Sequence, residues 1–230
     1  MPYLYYDSYY LVLVLPAILI AMAAQIMVKT TFRRYASVFS RRGQTAAQVA
    51  RQILDDNGLQ AVRLERVSGD LTDHYDPKAN VIRLSDSVYN SASVASIGVA
   101  AHEAGHAVQH AVGYVPIKLR NAVLPVANIG SAAAMPIIVI GLLLSFEPLV
   151  SIGILLFSAL VLFQLITLPV EFNASRRALA TLRDSRILEG KELSGARRVL
   201  SAAAMTYVAA VLVSAMQLLR LVLLTNRRRD

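Results

Sequence analysis

Four long apolar segments, separated by polar ones, dominate the hydropathy pattern of the chain. They cover residues 10–28, 123–146, 149–170 and 203–224. A helix rises about 1.5 Å per residue, so each segment is about long enough to cross a bilayer core of roughly 30 Å. The fourth segment carries Gln217 and Arg220 in its interior. The pattern therefore predicts three to four transmembrane helices, with the fourth segment crossing the membrane, re-entering it or lying buried among the others.

Basic residues mark the ends of these segments and predict their orientation. Lysines and arginines follow the first segment, precede the second and follow the third, whereas the turn between the second and third has none. The positive-inside rule then places residues 29–122 and 171–202 in the cytoplasm and the N-terminus outside. A fourth crossing would leave the arginines at 227–229 outside, against the rule, so all three alternatives stay open for that segment.

The first cytoplasmic stretch shows the periodicities of a small folded domain. Residues 45–57 place apolar side chains at helical spacing, from a capping Thr45 to an Asn-Gly stop. Residues 60–67 alternate as a strand does, and residues 81–84 predict a second short strand. Residues 93–112 are alanine-rich and apolar with few interruptions, which predicts a long buried helix.

These patterns together predict a mainly α, integral membrane fold with a small cytoplasmic α+β domain around a short sheet. The predicted parts are a first transmembrane helix (1–30), a cytoplasmic domain (31–122), a transmembrane hairpin (123–170), cytoplasmic helices (171–202), and a fourth apolar helix with a basic tail (203–230).

The composition of the chain limits which cofactors and partners it can have. The 230 residues are 56% hydrophobic, with a mean hydropathy of +0.51 and no cysteine. Disulfides and cysteine metal ligands are therefore excluded, and any metal must be held by nitrogen and oxygen atoms. The net charge of +8 lies beside long apolar segments, where it favours contact with anionic lipid and control of topology over binding of nucleic acid.

The predicted buried helix carries a His-Glu-Ala-Gly-His run at residues 102–106. His102 and His106 are four residues apart, so a helix places both imidazoles on one face, within reach of one ion. Glu103 lies one step round, where it can hydrogen-bond a water without ligating the metal. This division of roles is that of a zinc hydrolase, with Glu103 as the general base. Gly105 costs about 1 kcal/mol in a helix interior, so we expect another element to pack closely against it.

A catalytic zinc usually has three protein ligands and one open position, so a third ligand is needed. Glu171 is the preferred candidate, because it follows the third apolar segment and begins a predicted helix; an acid favoured there by the helix dipole is the structural alternative. His74 could reach the metal from a loop, and His74 or Tyr75 could stabilise an oxyanion. His110 continues the histidine face, but a third ligand on one straight helix is awkward, which favours a supporting or surface position.

The sequence around these residues resembles the YugP-like family of neutral zinc metallopeptidases. The matching runs are Ala-His-Glu-Ala-Gly-His-Ala-Val-Gln-His-Ala at 101–111, Leu-Arg-Asn at 119–121, Pro-Val-Ala-Asn-Ile-Gly-Ser at 125–131, Pro-Val-Glu-Phe-Asn-Ala-Ser at 169–175 and Leu-Leu-Arg at 218–220. The likeness covers nearly the whole chain. A more distant likeness connects the chain to the HtpX and CAAX-protease gluzincins, which are integral membrane peptidases.

These resemblances imply a role for each residue of the site. They imply that His102, His106 and Glu171 bind Zn²⁺, and that Glu103 acts as base and later as acid. In the distant relatives an aspartate usually orients a ligand histidine from the position that Ser175 occupies here. A neutral hydroxyl thus replaces a charged acceptor in the shell behind the ligands.

The distant likeness also implies a zincin-like cytoplasmic domain in which one strand offers its edge to an extended substrate. That strand is formed by Val81, Ile82, Arg83 and Leu84.

Residues and resemblance together predict a membrane-embedded zinc metalloendopeptidase of the gluzincin type. We expect a multi-pass protein of the plasma membrane whose active site faces the cytoplasm and cuts membrane-associated or misfolded polypeptides. Expected partners are the polypeptide substrate, the lipid bilayer and a second copy or another membrane protein. The alternative is a membrane scaffold or assembly partner with a structural or relict metal site; an intact Glu103 favours the enzyme.

Overall fold

The structure is a computed structural model that describes residues 8–226, most of which are helical. The helices are a π-helical turn Tyr10–Val14, α1 Leu15–Ala36, α2 Ala46–Asp56, α3 Asp86–Tyr89, α4 Val94–Ala111, α5 Val115–Leu143, α6 Glu147–Asp184 and α7 Gly190–Asn226. The strands are β1 Arg63–Val67, β2 His74–Asp76 and β3 Val81–Ser85. The basic tail at 227–229 lies outside the described residues.

Four helical stretches of the described chain are long and apolar enough to cross a membrane. They are Tyr10–Ala36, Val115–Leu143, Glu147–Asp184 and Gly190–Thr225. Each coincides with one of the four apolar segments of the sequence. The chain is therefore a mainly helical membrane protein with a small α+β part, as predicted, and its fourth apolar segment belongs to a helix that satisfies the length requirement for a crossing.

Helix α6 differs from the prediction, which ended the third span near residue 170 and began a new helix at Glu171. The helix instead runs unbroken from Glu147 to Asp184, with Pro169 in its interior. Proline removes one backbone donor, but transmembrane helices tolerate this loss when neighbouring groups compensate for it. Glu171 therefore lies well inside a helix, and the dipole at a helix N-terminus does not account for its presence.

The chain divides into two compact units, which we call the span unit and the site unit. The span unit contains the described parts of Met1–Gln25, Leu119–Leu168 and Thr206–Asp230. The site unit contains Ile26–Lys118 and Pro169–Met205. Within the span unit, a Cβ at Gly130 would lie 2.5 Å from the Leu156 carbonyl oxygen. The absence of a side chain at Gly130 thus lets α5 and α6 approach each other there.

The site unit has its own hydrophobic core, which encloses much of α4. Fully buried side chains come from α2, β3 and α4, including Leu54, Ile82 and Ile97, and Leu182 and Leu188 join them from the segment around the end of α6. Burying one such side chain stabilises the fold by about 1.5–3 kcal/mol. The core therefore holds α4 rigidly against the segment that follows the third span.

Both long helices predicted for the small domain begin at capping residues, of which the sequence pattern indicated Thr45. Thr45 and Gln48 form a capping box at the start of α2. The Ser93 side chain accepts a hydrogen bond from the Ser96 N–H at the start of α4. These side chains satisfy backbone donors that have no partner inside the helix, so local sequence sets the register of the helix that carries the histidines.

The small sheet has the strand order β1-β3-β2, which makes β3 its central strand. β3 pairs in parallel with β1 along its length and antiparallel with β2 over three residues. Beyond the β2 pairing, the Ser85 N–H donates to the Asp73 carboxylate at 2.8 Å. The prediction that residues 81–84 offer a free edge to a substrate is therefore wrong, because β3 is hydrogen-bonded to a neighbour on each side. The sequence pattern missed β2, whose polar residues resembled a turn.

Candidate metal centre

The two histidines of the His-Glu-Ala-Gly-His run meet on one face of α4. One helical turn separates His102 from His106, and their Nε2 atoms lie 3.1 Å apart. The ring planes are nearly perpendicular, at 84°, with centroids 4.6 Å apart. Only 14% and 12% of the two side chains are exposed. The helix thus presents two imidazole nitrogens at one nearly buried point.

Glu171 brings a third atom to this point from helix α6. Its Oε2 lies 3.3 Å from His102 Nε2 and 3.5 Å from His106 Nε2. The Glu171 side chain is 6% exposed, so it is the most deeply buried of the three. Within residues 8–226, these side chains form the one group of His, Asp and Glu whose ligand atoms converge, all within 4.8 Å of one another.

Gly105 explains how α6 comes close enough for this contact. A Cβ built on Gly105 would lie 2.9 Å from the Ala174 carbonyl oxygen of α6 and 3.5 Å from its Cα. No side chain fits between the two backbones at this position. The expectation that another element packs against Gly105 is therefore confirmed, and that element is the turn of α6 next to Glu171.

Each ligand histidine is held at its other ring nitrogen by a polar side chain. His102 Nδ1 lies 3.1 Å from Ser175 Oγ, and His106 Nδ1 lies 3.0 Å from Gln109 Oε1. A neutral imidazole has one N–H, so a proton on Nδ1 leaves the lone pair on Nε2, where Glu171 lies. The contact that the resemblance implied for Ser175 is present.

The three converging atoms fit a zinc ion in kind and in spacing. Imidazole nitrogen and carboxylate oxygen bind zinc at about 2.0–2.2 Å, which separates tetrahedral ligands by about 3.3–3.6 Å. The separations here are 3.1, 3.3 and 3.5 Å. Two imidazole lone pairs and a carboxylate oxygen repel one another at such distances, and a cation among them reverses the sign of the interaction. Three protein ligands with a fourth position open are typical of catalytic zinc sites.

Glu103 is a buried carboxylate directly beside His102 in the sequence of α4. It is 9% exposed, and no residue of the described chain donates a hydrogen bond to it. Burial chiefly raises the pKa of Asp73; hydrogen bonds from Ser85 oppose this shift, and the charge of Glu103 adds to it. Two acidic groups therefore lie near each other, one on α4 and one before β2. The Glu103 oxygens are not among the fully enclosed unpaired polar atoms of the described chain, so water can reach this carboxylate beside the histidines.

The remaining predicted residues lie outside the metal group. His74 is exposed, and its ring nitrogens contact a backbone carbonyl and Arg83. The Tyr75 hydroxyl is directed at Asn80, 3.5 Å away. His110 is exposed, and its ring packs edge-on against Tyr75 with 6.1 Å between centroids. Neither His74 nor His110 joins the ligand atoms, and His110 occupies the surface position that was its alternative.

Two polar residues of the site were missed as functional candidates. Gln109 is completely buried, and its amide nitrogen donates to the Val170 carbonyl and to Asn173 Oδ1. Asn173 Oδ1 also accepts from Arg177 Nε at 2.8 Å. The signal that could have found Gln109 is its position: a polar residue three places after His106 on a helix predicted to be buried.

Comparison with known proteins assigns the chain to a family. A sequence model of the family described as "Putative neutral zinc metallopeptidase" matches residues 10–226. The chain belongs to this family. It is also 47% identical over 221 residues to the "Putative membrane protease YugP" of Bacillus subtilis (strain 168), in an alignment covering 96% of this chain and 98% of the relative. No solved structure matches the chain.

Membership of the neutral zinc metallopeptidase family confirms the resemblance found in the sequence. Together with the His-His-Glu group, it identifies zinc as the cofactor. The four apolar helices and the membrane protease relative agree that this family member is a membrane protein.

Proposed function

We propose that the chain is a zinc metalloendopeptidase of the gluzincin type that cuts membrane-associated or misfolded polypeptides at the cytoplasmic face of the membrane. The observation that carries this proposal is the convergence of His102 Nε2, His106 Nε2 and Glu171 Oε2 within 4.8 Å of one another. A set of three such ligands leaves room for a water and then a substrate carbonyl.

The residues of the site divide the work of peptide hydrolysis. When bound, zinc supplies Lewis acidity, which lowers the pKa of a water and polarises the carbonyl of the scissile bond. His102, His106 and Glu171 hold the ion. Glu103 accepts the proton of the attacking water on its carboxylate and then donates it to the departing amine nitrogen. Because no described residue donates to Glu103, its oxygens are available for this transfer.

An extended substrate needs a strand edge beside the site, and β2 is suited to this role. It is an outer strand of the sheet and it packs against α4, which carries the histidines. Main-chain hydrogen bonds to such an edge bind polypeptides with little regard to sequence. His74 and Tyr75 belong to β2, so their role as donors would be toward the substrate carbonyl as it becomes an oxyanion.

The membrane placement rests on the helices and on the basic residues. One continuous helix, α6, carries both the third apolar segment and Glu171, which favours substrates attached to the bilayer. Lysines and arginines cluster beyond the span ends that precede and follow the site unit in sequence. By the positive-inside rule these ends face the cytoplasm.

Zinc content and proteolysis of purified variants test the proposal. The protein in detergent is assayed for bound zinc by mass spectrometry and for cleavage of fluorescently labelled casein. We expect Glu103→Gln to keep its zinc and lose activity by about a hundredfold or more, because the proton acceptor is gone while the ligands remain. Glu171→Ala should lose both zinc and activity. Glu189→Gln, at an exposed glutamate of the site unit, is the matched control and should keep both.

Three results would contradict the proposal. A wild-type protein that binds no zinc would remove its chemical basis. A Glu103→Gln variant that cleaves casein as fast as the wild type would assign the activity to a contaminant or to another site. Zinc binding without cleavage in every variant would favour the membrane scaffold with a structural metal site.

A further inference from the structure

Gln109 is the largest polar side chain that the described part of the site unit buries completely. Its side chain is fully buried, although an amide is costly to bury without partners. All of the partners come from the metal centre or its supports. Its Oε1 lies 3.0 Å from His106 Nδ1, and its Nε2 lies 2.8 Å from the Val170 carbonyl and 3.0 Å from Asn173 Oδ1.

The orientation of the Gln109 amide follows from its contact with the Val170 carbonyl. A backbone carbonyl only accepts hydrogen bonds, so the group of Gln109 that faces Val170 must be the NH₂ donor. The oxygen of the amide must then face His106. An oxygen only accepts, so His106 must carry its proton on Nδ1. Its lone pair is left on Nε2, the atom that points at Glu171.

We propose that Gln109 is a positioning residue of the metal centre, which holds His106 in the Nδ1–H tautomer and thereby keeps Nε2 ready to bind zinc. The zinc-binding part of this inference rests on the proposed function. The assignment of the tautomer rests on the hydrogen bonds of Gln109 alone. In solution a free imidazole carries its proton on either nitrogen. A side chain that forces one tautomer removes that choice before the metal arrives.

Gln109 also ties together the two helices that supply ligands. Val170 directly precedes Glu171, and Asn173 follows it by two residues, so both acceptors of the Gln109 amide belong to the same turn of α6. Arg177 fixes Asn173 from the other side, with its Nε 2.8 Å from Oδ1. The same side chain thus orients one ligand on α4 and holds the backbone beside the ligand on α6.

Substitutions that separate these hydrogen bonds test the inference. Gln109→Met keeps the volume and removes every hydrogen bond, and Gln109→Glu keeps an acceptor for His106 but removes the donor to Val170. Zinc affinity is measured by competition with a chelator in detergent. We expect Gln109→Met to weaken zinc binding about tenfold to a hundredfold, and Gln109→Glu to recover part of that loss. Ser96→Ala removes a buried hydroxyl near the start of α4, so it is the control that lowers stability without changing zinc affinity.

A second measurement reads the tautomer directly in the wild-type protein and does not depend on the Gln109 variants folding. The wild-type protein is labelled with ¹⁵N at its four histidines, and the His106 signal is assigned by its loss in His106→Asn. The zinc-free protein should show His106 protonated at Nδ1, and the zinc-loaded protein should keep that proton.

The inference fails if zinc-free His106 is protonated at Nε2, or if Gln109→Met binds zinc as tightly as the wild type. A wild-type protein that binds no zinc would refute the proposed function instead, and the tautomer of the zinc-free protein would still decide the role of Gln109.

Discussion

The close approach of α4 and α6 at Gly105 makes a prediction about two glycines on one helix. Gly105→Ala should destabilise the protein and weaken its zinc site, whereas Gly98→Ala should do neither. The substitution is the same at both positions, and both lie inside α4. They differ in what the added methyl group meets: the Ala174 carbonyl oxygen at 2.9 Å for Gly105, and the Ala196 Cβ at 3.5 Å for Gly98.

The magnitudes follow from two opposing terms. Replacing glycine by alanine inside a helix stabilises the folded state by about 1 kcal/mol at either position. At Gly98 that gain stands alone, because 3.5 Å is an ordinary contact between methyl groups. At Gly105 carbon must move from 2.9 Å to the ordinary carbon–oxygen separation of about 3.3–3.6 Å, and overpacking of this kind costs about 1–3 kcal/mol. The difference between the two variants is therefore about 1–3 kcal/mol.

Thermal unfolding in detergent and chelator competition measure the two consequences. A difference of about 1–3 kcal/mol corresponds to about 2–12 °C in Tm for a chain of this size, with Gly105→Ala the lower. Separating the helices by about half an ångström also reaches the tolerance of about 0.5 Å within which a metal site must be held, so zinc affinity should fall at Gly105 and stay unchanged at Gly98. Equal stability and equal zinc affinity for the two variants would refute the described packing of α4 on α6.

Three further outcomes are expected. Ser175→Ala should weaken zinc binding about tenfold by removing the partner of His102 Nδ1, and Ser175→Asp should strengthen it; chelator competition that ranks them otherwise contradicts this. Removing zinc present at about 100 times its Kd should cost about 2.7 kcal/mol, read as a lower Tm that returns when zinc is restored. Burial raises the pKa of Asp73 above its ordinary 3.8, so folding takes up a proton there and stability falls as the pH rises through the folded pKa. Asp73→Asn should flatten that part of the Tm profile, and an unchanged profile would count against the shift.

Local features of the fold were predictable from the sequence because each depends on residues close together in the chain. Apolar runs long enough to cross a bilayer indicated the four spans, and Thr45 indicated where the first helix of the small domain begins. The spacing of His102 and His106 placed both on one face, which is a property of any helix. Gly105 signalled close packing without identifying its partner.

Features that depend on distant residues were predictable only in part. Glu171 lies 69 positions from His102. Its place after the third apolar segment favoured it over His74, but only the packed helices bring its carboxylate to the histidine nitrogens and leave His74 outside the group. Strand pairing is likewise non-local, so the sequence could not show that β2 exists or that it occupies the outer edge instead of β3. The unbroken course of α6 through Pro169 depends on its surroundings, which a propensity argument does not include.

The sequence by itself determined that this is a membrane protein with a His-Glu-Ala-Gly-His helix suited to zinc, because hydropathy and helical spacing are written in neighbouring residues. Only the tertiary structure decided which of the candidate side chains meet: the Glu171 carboxylate joins the two histidine nitrogens, and Ser175 and Gln109 contact the histidines from behind. The physical reason is that a metal site needs atoms a few ångströms apart from helices far apart in sequence. The packing of α6 against Gly105 brings those atoms together.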